Sequence, residues 1–140
     1  MRWLLLVLLL SGGVWAEEIK VLNTNLSMGF LHDGQQGQLG AIAFLRVDQV
    51  THRTELFYMQ PRPVAKDPIW GANLLLVASY AELRSFGGLG GTRQGDKEWI
   101  SGIAGAASKL NERMEWEVRL SFPIDGAEWL LCAGLSYDLY

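Results

Sequence analysis

The sequence predicts an all-β fold, an antiparallel up-and-down β-barrel of about eight strands behind a cleaved export leader. Three observations lead there. The chain opens with a three-part leader. The remainder carries turn signals at short intervals between alternating runs, and no sustained helical stripe. Its last hairpin separates into one apolar and one charged face, with aromatic residues at both ends of the apolar one.

Arg2 supplies the positive start of the leader, and Trp3 to Leu10 form an unbroken apolar run. Ser11-Gly12-Gly13 ends that run, Val14-Trp15-Ala16 offers small-enough residues where a signal peptidase reads, and Glu17-Glu18 follows. The run is too short for a spanning helix, which takes about 20 apolar residues. Residues 1–16 are therefore expected to be a signal peptide, and residues 17–140 a single barrel domain of 124 residues. Loss of Arg2 takes the formal net charge from −3 to −4, which argues against a nucleic-acid partner. Cys132 is the only cysteine, so no disulfide can form within the chain. Stability has to come from a complete hydrogen-bond ladder held in lipid, or from a conventional core.

Strands are expected near 18–31, 38–47, 53–60, 72–83, 98–107, 112–122 and 128–139. The best helical stretch, Ile103 to Leu110, is short and contains Gly105. Asp33 to Gly37 forms the tip of a first hairpin. Pro61, Pro63 and Pro68 exclude a central strand from that segment. Gly87 to Asp96 is glycine-rich and reads as a flexible loop.

From Met114 the alternation is strict. Met114, Trp116, Val118, Leu120 and Phe122 share one face, and Glu115, Glu117, Arg119 and Ser121 the other. Asp125-Gly126 marks the turn. Trp129, Leu131, Ala133, Leu135, Tyr137 and Leu139 then lie opposite Glu128, Leu130, Cys132, Gly134, Ser136 and Asp138. A soluble sheet would bury the apolar face and wet the charged one. A membrane barrel would turn the apolar face to lipid and the charged face to its lumen. Spacing favours the barrel. Met114 to Phe122 spans eight steps, roughly 26 Å of extended chain, close to the ~25 Å apolar band of membrane barrels. Phe122 and Trp129 fall at one rim, and Trp116 and Tyr137 toward the other. Val118, Leu120, Leu131, Ala133 and Leu135 lie between, none of them charged.

The closing run Ala133-Gly134-Leu135-Ser136-Tyr137-Asp138-Leu139-Tyr140 resembles the last strand of small Gram-negative outer-membrane β-barrel proteins, over about 27 C-terminal residues. In this chain the alternating face ends at Leu139, and Tyr140 follows one residue out of phase. The resemblance implies a β-barrel in outer-membrane lipid, partnered by the barrel-assembly machinery, with a structural, surface-binding or narrow-pore role. Glu115, Glu117, Arg119, Ser136 and Asp138 would line the lumen, and Trp116, Phe122, Trp129 and Tyr137 would anchor the rims. A periplasmic C-terminus would put the Leu110–Arg113 turn inside and the glycine-rich loop at 86–96 outside. Such barrels have an even strand number, so an eighth strand is sought in 84–90 or 61–71. Otherwise several copies would share one barrel as a homo-oligomer. The alternative is a soluble periplasmic or secreted β-sandwich or lipocalin-like binding protein.

Catalytic and cofactor signals are absent, and no cofactor is expected. His32 and His52 have no metal-ligand spacing. No Gly-x-Ser-x-Gly elbow occurs. The enzyme that trims acyl chains from lipid A pairs a histidine with a serine near its C-terminal end, and this chain has no histidine beyond residue 52. The glycine run lacks the Lys-Ser/Thr of a phosphate loop. Glu115, Glu117 and Arg119 read as a salt-bridged ladder along one strand face, and Cys132 as a small filler beside Ser136.

Overall fold

The structure is a computed structural model that describes residues 19–62 and 67–139. The expected signal peptide and Tyr140 lie outside the described residues. Eight antiparallel strands follow one another: β1 (Ile19–His32), β2 (Gly37–Gln49), β3 (His52–Arg62), β4 (Ile69–Tyr80), β5 (Leu83–Gln94), β6 (Lys97–Lys109), β7 (Met114–Pro123) and β8 (Trp129–Asp138). Each pairs with its neighbours in sequence, and β1 pairs with β8 to close the ring. One chain completes the barrel, so the shared-barrel alternative falls, as does the sandwich.

The barrel has two mouths. The near mouth holds the first residues of β1, the end of β8 and the connections 50–51, 81–82 and 110–113; the far mouth holds 33–36, 67–68, 95–96 and 124–128. Asp125-Gly126 turns where expected, with Gly126 at φ 95°. In the first hairpin the Asp33 carboxylate accepts backbone N–H bonds from Gln35 and Gln36, both at 2.9 Å. Those two bonds hold it below the usual carboxylate range, that from Gln36 contributing most.

Two expectations about connections are corrected. The glycine-rich segment is not a loop. It forms most of β5, the eighth strand, and β4 ends at Tyr80 instead of running on to 83. Nor is there a long outer loop at 86–96, since only Gly95 and Asp96 join β5 to β6. Glycine serves this strand because the barrel interior is crowded beside it. A Cβ on Gly90 would stand 1.9 Å from Asn73 Oδ1, and one on Gly88 2.1 Å from the Leu74 carbonyl.

β3 also runs further than expected, through Pro61 to Arg62. Its pairing with β4 stops at Met59↔Ile69, while its pairing with β2 continues to Leu39↔Arg62. Pro61 therefore sits where one side of the strand has no partner, a position that tolerates the missing N–H.

Inside the far half, Leu31, Ile42, Phe44, Phe57, Met59, Ile69, Trp99, Leu130 and Cys132 pack together. A smaller group, Leu75, Phe86 and Ile103, packs in the near half. Outside, alternation exposes leucines: Leu26 is 66% exposed, Leu56 56% and Leu131 56%.

Candidate functional site

The interior of the near half is polar, built from alternate residues of facing strands. β2 contributes Arg46 and Asp48, β3 contributes Arg53 and Glu55, and β7 contributes Glu117 and Arg119. All six are buried, and their formal charges cancel. Cross-strand register places Arg46 opposite Glu55 and Asp48 opposite Arg53. Burying such charges is tolerable only where each is paired and hydrogen-bonded.

The pairing is dense. Arg119 donates from Nη1 to Glu55 Oε1 at 2.6 Å and from Nη2 to Glu55 Oε2 at 2.7 Å. Arg46 donates from Nε to Glu55 Oε2 at 2.7 Å, from Nη1 to Ser136 Oγ at 2.9 Å, and from Nη2 to Glu117. Arg53 clasps Asp48 at 2.6 and 3.2 Å and reaches Glu117 Oε1 at 3.2 Å. Asn73 donates to Glu55 at 2.9 Å and Asn23 to Asp48 at 2.7 Å. Toward the near mouth, Arg84 meets Glu115 at 3.0 Å and Asp48 at 3.5 Å.

The guanidinium groups also stack on rings. Arg119 lies over Phe44 at 4.3 Å and over Phe86 at 5.0 Å. Arg46 lies over Phe44 at 5.0 Å and Arg53 over Phe86 at 5.5 Å. Charge pairing and cation–π contact thus join the polar near half to the apolar far half.

A thinner polar layer closes the far mouth. Gln38 on β2 and Gln94 on β5 exchange amide hydrogen bonds at 3.3 and 2.7 Å. Lys97 pairs with the buried Glu128 at 2.6 Å. Between the two layers the space left is a cavity of about 10 Å³. The interior is filled by side chains, as expected for eight strands.

The nine residues singled out from the sequence are placed as follows. Glu115, Glu117, Arg119 and Ser136 are buried on the inner side, and Asp138 is half-buried at the near mouth. Trp116, Phe122, Trp129 and Tyr137 are on the outer side, 38–47% exposed. The expected ladder along β7 is a minor feature. Glu117 does meet Arg119, at 3.2 Å, but Arg119's bidentate partner is Glu55 and Glu115 pairs with Arg84. The sequence reading missed Arg46, Asp48, Arg53, Glu55 and Asn73. Arg46-Val47-Asp48 and Arg53-Thr54-Glu55 carry the signal, with charges two apart in strands whose other face is Leu45, Val47 and Leu56. His32 and His52 sit at opposite mouths, and among the described residues no group of three His, Cys, Asp or Glu is placed to hold a metal ion.

No family model matches the chain, and no curated protein matches it. Solved structures do. A de novo designed transmembrane β-barrel matches with TM-score 0.71 at 10% identity, covering 88% of this chain and 99% of its own. The Yersinia pestis attachment invasion locus protein Ail, solved with the heparin analogue sucrose octasulfate, matches with TM-score 0.58 at 9% identity, covering 85% and 97%. Neisserial surface protein A matches with TM-score 0.54 at 9% identity, covering 84% and 96%. The chain has the fold of the small eight-stranded outer-membrane barrels. The likeness covers almost the whole length of each of these barrels. The far-mouth connections that are described throughout, 33–36, 95–96 and 124–128, run to five residues at most.

Proposed function

We propose that this chain is an integral outer-membrane protein of a Gram-negative bacterium, with its outer wall in lipid and its lumen closed to solutes. One observation carries the reading, the inversion of burial. Arg46 and Glu55 are 0% exposed, while Leu26, Leu56, Leu76 and Leu131 are more than half exposed. Among the strand residues whose side chains are described, the outward charges are Arg62, Arg93 and Glu98, all close to the far mouth. Water would penalise so large an apolar wall, whereas a bilayer would not.

The rim aromatics agree with this placement. Phe30, Tyr58, Trp70, Phe122 and Trp129 lie on the outer face toward the far mouth, and Tyr80, Trp116 and Tyr137 toward the near mouth. Export through the leader and insertion by the barrel-assembly machinery belong to the same reading. The filled interior favours a structural role over porin-like passage. The ligand of the Ail structure is a polyanion and is not carried over, because the far-mouth connections here bear Asp33, Asp67, Asp96 and Asp125.

Fractionation of cells expressing the full chain tests the proposal. The mature protein should appear only in detergent-extracted outer membrane, as a band whose mobility shifts on boiling. A soluble, monodisperse protein released without detergent would overturn it.

A further inference from the structure

We infer that the small cavity beside Arg119 is a binding site for one water molecule, held by the guanidinium Nε–H and the hydroxyls around it. The cavity lies between the two polar layers and is lined by Asn73, Thr92, Ser101, Arg119 and Ser121 on its polar side, with Phe44, Phe57 and Trp99 among its apolar neighbours.

The surroundings of Arg119 leave one of its donors unpaired among the described residues. Its terminal nitrogens are taken by Glu55 and Glu117. Its guanidinium carbon also lies over the Phe44 ring at 4.3 Å and over the Phe86 ring at 5.0 Å. Its Nε has no hydrogen-bond partner among the described residues, although the residue is 3% exposed. An orphaned donor on a buried cation is costly, because the desolvation of that group is left uncompensated. That cost disappears if an acceptor meets Nε.

The occupant's size and chemistry follow. A volume of about 10 Å³ is at the lower bound for a single water. A buried water needs 2–4 polar partners, and Arg119 Nε with Ser121, Ser101 and Thr92 can supply them. An anion is disfavoured, because Glu55 and Glu117 already neutralise this part of the lumen. An apolar guest would leave Nε unsatisfied.

The experiment uses the refolded full-length mature chain in micelles, with ¹⁵N-arginine labelling and Arg119→Lys to assign the signal. The probe is the water resonance itself. The Arg119 Nε–H should show a cross-relaxation peak to a long-lived water, kept in Ser121→Ala and lost in Ser121→Val, where the added methyl groups fill the cavity. If Ser121→Val does not fold, Ser101→Val carries the same test. Absence of the peak in the folded wild type would overturn the site, as would a peak unchanged in the valine variants.

Discussion

Arg119 on β7 grips Glu55 on β3 through both terminal nitrogens, at 2.6 and 2.7 Å, across the full width of the barrel. Three strands lie between β3 and β7 in either direction around the ring. The pair is therefore a strut that joins opposite walls, and Arg46 and Asn73 brace its carboxylate end.

Removing one end of the strut leaves the other charged and buried. Glu55→Gln keeps the shape but withdraws the charge from Arg46 and Arg119. A loss of roughly 3–5 kcal/mol is expected, read from urea titrations of the refolded barrel by tryptophan fluorescence. Arg119→Met should cost less when combined with Glu55→Gln than the two single losses summed, because the groups share one network.

Gly90 is expected to resist substitution for a reason outside its own strand. Gly90→Ala drives a methyl group against Asn73 Oδ1, so overpacking should cost about 1–3 kcal/mol. Asn73→Ala in the same chain should relieve most of the clash while losing the Asn73–Glu55 bond. The double variant should therefore show strong non-additivity in the same urea assay.

The proposed closure of the lumen has an electrical consequence. In planar bilayers the wild-type protein should insert without unitary conductance steps. Steps typical of an open aqueous channel would contradict the packing of Phe44, Phe57 and Trp99 between the two polar layers.

The last hairpin was readable from its residues because each step of β7 and β8 changes face, and the side chains declare which face is which. β5 was not. Gly87, Gly88, Gly90 and Gly91 show no alternation, and their use as wall residues depends on Asn73 and the β4 backbone, which sequence spacing does not place beside them. The ion-pair network inside the near half was half readable. Glu115, Glu117 and Arg119 stood out on one strand, but their partners come from β2, β3 and β5. Ion pairs across a lumen follow from barrel closure, and closure is a property of the whole ring.

Leu120 tests the outer wall. It lies on β7 opposite Leu131 of β8, between the aromatic rims. Leu120→Arg should destabilise the barrel in bilayers by about 2–4 kcal/mol. The same charge at Gln35, in the exposed β1–β2 turn, should change little. Urea titration in lipid vesicles measures both.

The orientation of the wall is tested most directly by spin labels at Leu131, Ala133 and Leu135, the outward positions of β8, in a Cys132→Ser chain reconstituted in vesicles. Collision with dissolved oxygen should be high at all three and collision with a water-soluble nickel chelate low, lowest at Ala133. Strong nickel contact along the whole series would place this face in water and contradict a barrel embedded in lipid.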